Sequence, residues 1–159
     1  MSTGDGAVRD HLIWLLEGGH AHTKFDDAVK DFPVARAGER PEGSPHSAWE
    51  LLEHMRIAQH DMVRFSLSAD HVSPGWPKGY WPGTPGPKDE AEWAKSIRSF
   101  RKDLAEFVAV IRGPGQDLNR KFPWGDGQSL FREALQIADH NSYHIGQLVL
   151  VRRLLGEWE

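Results

Sequence analysis

Asp139-His140-Asn141-Ser142-Tyr143-His144-Ile145-Gly146-Gln147 lies inside the last of four segments with helical period, and its spacing decides how the chain is read. Histidines four residues apart on a helix project from one face, one above the other, about 6 Å apart at Cβ. With His144 set at zero, Leu130, Ile137, His140, Asn141, Gln147, Leu148, Val151 and Leu155 all fall within about 60° of it at 3.6 residues per turn. The pair therefore sits on an apolar, inward-facing stripe, with Glu133 its one charged member. Solvated histidines would be expected on the opposite side.

Working outward, this last helix begins after Gly125-Asp126-Gly127 and reaches Leu155, where Gly156 is placed as a C-cap. A helix upstream starts near Asp89, with Glu92 three residues on, and runs to Ile111 before Gly113-Pro114-Gly115 breaks it. Another opens at Ser44-Pro45, a cap followed by proline at the first helical position, and continues to about Ser68. The first spans Val8 to His22 with Val8, Leu12, Leu15 and Leu16 on its apolar side. Thr23-Lys24-Phe25-Asp26 then resembles a capping box, predicting a short piece through Lys30 that Pro33 stops. No segment sustains the period-2 alternation of a strand. The fold expected is all-α, a four-helix bundle.

Between the second and third long helices, Asp70 to Lys88 is rich in proline and glycine and holds Trp76, Tyr80 and Trp81. A connection this long lets its flanking helices run parallel, which predicts up-down-down-up topology. Structureless connections of this length are usually functional or mobile; against a solvated linker, the aromatic residues point to a lid packed over something.

The chain's 159 residues read as one domain, 1–159, able to bury a core without staples. With no cysteine, thiolate metal sites, cysteine nucleophiles and disulfides are excluded, and a reducing, cytoplasmic setting is suited. Met1 to Gly6 shows no secretion-signal pattern, and no run approaches 18 apolar residues, so no membrane span is expected. A net charge of −4 opposes general binding to nucleic-acid phosphates. Seven tryptophans and nine histidines are many for this length and suit a small enclosed site, although tryptophan most often fills cores.

On the second long helix, His54 shares its face with Ser47, Glu50, Leu51, Ile57, Ala58, Asp61 and Phe65. His60 falls about 120° away and is a poor ligand candidate. Three inward-facing imidazoles from two helices match the protein-ligand count of a catalytic-type zinc site. Spacing alone leaves two readings open, metal ligands or hydrogen-bonded core histidines.

The segments His46-Ser47-Ala48-Trp49-Glu50-Leu51-Leu52-Glu53-His54-Met55-Arg56-Ile57-Ala58-Gln59 and Ala138 to Gln147 resemble the DinB-like (damage-inducible) bundle family. Pro77-Lys78-Gly79-Tyr80-Trp81-Pro82 and Gly18-Gly19-His20-Ala21-His22 resemble one branch of it. This family is distinct from the DNA polymerase that shares the name. The resemblance implies a four-helix bundle with a long crossover and a divalent ion held by His54, His140 and His144; neutral imidazole suits Zn, Ni, Fe or Cu, and Zn or Ni is the ion expected. It also implies a homodimer and two kinds of chemistry on a small molecule: transfer of a low-molecular-weight thiol, or metal-dependent hydrolysis. A non-catalytic, stress-associated protein with a structural ion is the alternative.

Other residues enter as supporting candidates. Glu50, one turn before His54, either orients water or acts as a general base, or else is a carboxylate that forms a salt bridge or supports a ligand from behind. Asp61 and Gln147 are placed to orient ligands, and His22 to approach the open end of the site. If the protein is an enzyme, some of Trp76, Trp81 and Trp124 are expected to line a cavity above the ion. His11, His20, His46 and His71 have no supporting constellation.

Overall fold

A computed structural model describes residues 3–18 and 20–158. It contains helices α1 (Thr3–Glu17), α2 (Phe25–Val29), α3 (Ala48–Leu67), α4 (Glu90–Arg112) and α5 (Leu130–Leu154). Short 3-10 turns occupy Val34–Arg36 and Lys78–Tyr80, and no strand forms among the described residues. Four long helices pack as a bundle in which α3 lies against α4 and α5, and α1 closes the opposite corner against the same two.

Cross-helix pairs fix the directions. Along α3 and α4, Glu53 meets Ser96, Gln59 meets the Phe100 carbonyl and Arg64 meets Glu106, so the two run parallel. Along α3 and α5, His54 meets His144 whereas Gln59 meets Asn141, so these run antiparallel. Arg9 near the start of α1 reaches the Ile111 and Gly113 carbonyls at the end of α4, which makes that pair antiparallel. The order is up-down-down-up, as the long crossover predicts.

The core has two connected halves. One gathers Trp49, Leu52, Met55, Trp93, Phe100 and Leu148; the other gathers Leu12, Leu16, Val63, Phe107, Ile111 and Ile137. His54, on α3, and the histidines of α5 stand on the inward faces of these two helices.

Helix boundaries depart from the sequence reading where capping chemistry competes. α1 stops at Glu17 rather than His22, because Gly18 takes a left-handed conformation (φ 65°) that only glycine adopts without cost, and its amide bonds back to Leu15. The resembling turn that follows includes Gly19, which lies outside the described residues. Val8 and Leu15, expected on the apolar side, are exposed; Leu12, Ile13 and Leu16 form the buried face. Thr23 does not cap α2, whose N-cap is Lys24 with no side-chain bond. α3 starts after Ser47 rather than Ser44: Ser47 Oγ accepts the Glu50 amide while Glu50 returns to the Ser47 amide, a complete capping box. Reciprocal satisfaction of two amide donors outweighs the fixed φ of Pro45, and Ser44 instead donates to the His46 carbonyl. Asp89 caps α4 as expected, and Gly156 follows α5, with the Glu157 amide returning to the Arg152 carbonyl.

Candidate metal centre

α3 and α5 bring His54, His140 and His144 together, with one ring nitrogen of each lying within 4.8 Å of the others. His54 Nε2 stands 3.1 Å from His144 Nε2 and 3.1 Å from His140 Nε2. His54 and His144 are buried and His140 is partly exposed. Helical geometry accounts for the cluster: His140 and His144 stack one turn apart, and His54 meets them from the antiparallel neighbour.

Hydrogen bonds on the far side of two rings decide which nitrogen carries the proton. His54 Nδ1 lies 2.8 Å from the Tyr80 carbonyl oxygen. A carbonyl can only accept, so Nδ1 holds the hydrogen and Nε2 presents a lone pair. His144 Nδ1 donates to Gln147 Oε1 at 2.7 Å, and Gln147 Nε2 donates to the Tyr143 hydroxyl. His144 Nε2 is therefore bare as well. Two lone pairs 3.1 Å apart repel unless a cation or proton lies between them.

Protonation is disfavoured here. Burial lowers the pKa of His54; burial and the neighbouring rings push His140 and His144 down to about 4. Neutral imidazoles with converging lone pairs are the donor set that a borderline divalent ion accepts. His140 Nδ1 and Asn141 Oδ1 are both buried without a partner. A ligating His140 would turn Nε2 to the ion and need an acceptor for Nδ1–H, which the orphaned amide oxygen can supply. The residues fit the ion.

The crossover closes over this cluster. Trp81 is sandwiched between His46 and His54, ring centroids 4.1 and 4.0 Å away, and presents its edge to His144. Asp61 accepts the Tyr80 hydroxyl at 2.7 Å through Oδ2 and pairs with His71 Nε2 at 2.7 Å through Oδ1. Burial and Asp61 push the Tyr80 hydroxyl up to about 12, so it stays a donor.

The remaining candidates fall elsewhere. Both Glu50 oxygens are occupied, by Arg40 and by the Ser47 amide. Burial works against its charge, yet those bonds hold its carboxyl below the ordinary range. That is the salt-bridged role, with no free basic oxygen. His22 is exposed and bonds Ser142 and the Thr23 carbonyl, away from the triad. Trp124 stacks on Phe122 and donates to the Phe65 carbonyl. It lines a cavity of about 440 Å³ at the far end of α3 that includes no triad residue, because the loop before α5 packs on the end of α3 rather than its middle. Trp76 is 82% exposed. His60 pairs with Asp103 on α4 and is not part of the triad, in keeping with its helical angle. His46, His71 and the Tyr80 carbonyl are the contributors missed. The two histidines lie in loops without periodicity, and a main-chain carbonyl has no side-chain signature.

Fold and site together define an all-α bundle whose core carries a three-histidine cluster on antiparallel helices. A match to the DinB superfamily covers residues 19–148, and the chain belongs to that superfamily. Comparison with curated proteins and with solved structures returns no match.

Proposed function

We propose that this chain is a histidine-triad divalent-metal protein, with His54, His140 and His144 as ligands and Zn(II) or Ni(II) as the ion, acting as an enzyme on a small molecule. The observation that carries the reading is the 3.1 Å approach of two imidazole lone pairs whose protons are committed outward. A divalent ion would supply Lewis acidity, activating water for hydrolysis or a low-molecular-weight thiol for transfer to an electrophile.

Three protein donors favour a catalytic ion over a closed structural one, which takes four. Partial exposure of His140 gives the side from which a small molecule would approach. Trp81 keeps water off the His54 ring, while Tyr80 and Gln147 keep the protons of His54 and His144 on Nδ1. Glu50 is reserved for holding the start of α3. A purely structural ion is the second reading; what favours it is that the cavity lined by Trp124 includes no triad residue, whereas the cover that Trp81 makes from the crossover speaks for the enzyme.

A homodimer fits an exposed apolar stripe on α5 formed by Tyr143, Leu150 and Leu154; sedimentation velocity of the wild type and Leu150→Glu tests it. No helix among the described residues is long and apolar enough to cross a membrane, and the net charge of −4 argues against nucleic acid as partner.

The test is metal analysis of the dialysed wild type, His54→Ala and His144→Ala proteins, followed by a screen of thiols with electrophiles. One equivalent in the wild type and loss in both variants is expected. Full retention by both variants would refute the triad, and absence of turnover with any thiol would shift weight to hydrolysis or to a structural ion.

A further inference from the structure

The crossover does more than cover the triad. Tyr80 uses both of its ends: its hydroxyl donates to Asp61 at 2.7 Å and its main-chain carbonyl accepts His54 Nδ1–H at 2.8 Å. Asp61 and His54 are seven residues apart on α3, two turns along one face, or about 10 Å. Tyr80 thus bridges from a ligand candidate to a buried carboxylate farther down the same helix.

Nothing in α3 itself can supply the Tyr80 carbonyl, so its position depends on what pins the crossover. The 3-10 turn is closed by the Tyr80 amide on the Pro77 carbonyl and the Trp81 amide on the Lys78 carbonyl. It packs tightly: a Cβ on Gly79 would lie 2.8 Å from Pro74 Cβ, so a side chain there would displace the turn. The second Asp61 oxygen takes His71, at the start of the same crossover. One buried carboxylate therefore ties two points of the connection to α3.

We propose that Asp61 and Tyr80 form a latch that positions His54 for the ion, making ion affinity and closure of the crossover mutually dependent. Both are positioning residues, and the ion half of this inference rests on the histidine-triad reading above. With the latch closed, His54 Nδ1 is held as a donor and Nε2 is aimed at the other two imidazoles. With it open, the ring can rotate and exchange tautomers, and the ion loses one oriented ligand. Partners of this kind typically change metal affinity 10–100-fold. By linkage, the ion must favour the closed crossover by the same factor that closure favours the ion.

The test uses the full chain in four forms: wild type, Tyr80→Phe, Asp61→Leu and Asp61→Asn. Tyr80→Phe keeps the ring and deletes the latch bond, while Asp61→Asn keeps one oxygen able to accept the tyrosine hydroxyl. Zn(II) affinity by chelator competition is expected to weaken about tenfold or more in Tyr80→Phe and Asp61→Leu, and to recover much of the way in Asp61→Asn. The Co(II)-substituted absorption spectrum should change with the two disruptive variants, which a general loss of stability would not produce. Imidazole NMR of the metal-free proteins gives a readout without any ion: a protected His54 Nδ1 proton in the wild type that exchanges faster in Tyr80→Phe. If that proton behaves as expected but the wild type binds no metal, the latch stands as a device for His54 and the metal function falls. If the wild type binds Zn(II) and Tyr80→Phe matches it in affinity, spectrum and His54 proton exchange, the latch is overturned.

Discussion

His54 Nε2 and His144 Nε2 face each other across 3.1 Å, each with its own Nδ1–H already given to an acceptor on the outside of the cluster. Without a cation between them the bundle holds two opposed lone pairs in its core. Metal removal should therefore be destabilising. At a free-ion concentration 100 times Kd, binding to the native state alone adds about 2.7 kcal/mol. For a chain of this length that corresponds to a rise in Tm of roughly 5–10 °C. Melting curves with Zn(II), and with Zn(II) plus excess chelator, measure this; coincident curves for a protein shown to bind the ion would contradict it.

Glu50 is predicted to be dispensable for the ion. Glu50→Gln should bind Zn(II) with wild-type affinity, because its carboxylate serves Arg40 and the Ser47 amide rather than the triad. Ser47→Ala should lower stability by about 1 kcal/mol through loss of the cap, together with its bond to the Pro85 carbonyl in the crossover. Urea denaturation and chelator competition on the two variants separate the roles. A large affinity loss in Glu50→Gln would put that carboxylate back in the site.

The three histidines were legible because helical period carries direction. Once His144 and His54 lay on apolar stripes, antiparallel packing of two long helices sufficed to bring them together, and the same angle set His60 aside. Boundaries were less legible because signals compete locally. Ser44-Pro45 and Ser47 with Glu50 both read as starts, and the reciprocal bonds of the second pair prevail. The closure over the site was legible only in outline. Aromatic residues in the crossover announced packing, but nothing in the sequence distinguished Trp81, which stacks on His54, from Trp76, which faces solvent. Trp124 misled for the same reason: a loop residue has no periodic face from which its partner follows.

Glu133 provides a test by pH. It is 3% exposed, and burial together with the nearby charge of Asp61 raises its pKa above the ordinary 4.5. The folded protein therefore holds this proton more tightly than the unfolded chain. Its contribution to stability is fully present below the unfolded value and is lost as pH rises through the folded one. At neutral pH an ionised Glu133 is a cost that Glu133→Gln removes. The variant should melt higher than wild type at pH 7.5, with the gap closing as pH falls below 4.5. Parallel melting temperatures across pH 4–8 would show that the carboxyl is well solvated after all.

Asn141 connects the core to the site, and its amide is oriented by a chain of one-way bonds. Gln59 Nε2 donates to the Phe100 carbonyl at 2.7 Å, so Gln59 Oε1 must be the acceptor of Asn141 Nδ2 at 2.8 Å. That leaves Asn141 Oδ1 on the other side, buried and unpaired like His140 Nδ1. Asn141→Leu strands the Gln59 oxygen and should cost about 1–3 kcal/mol. Gln59→Leu, Asn141→Leu together should cost less than the sum of the two singles, since no buried amide is then left half-satisfied. Zn(II) affinity should fall in every variant lacking Asn141 but stay near wild type in Gln59→Leu if the asparagine keeps its orientation. Urea denaturation gives the coupling and chelator competition gives the affinity. Unaltered Zn(II) binding in Asn141→Leu would mean that His140 draws its acceptor from elsewhere and that the Gln59–Asn141 pair serves only the packing of α3 against α5; additive stabilities would mean that the two amides are not coupled.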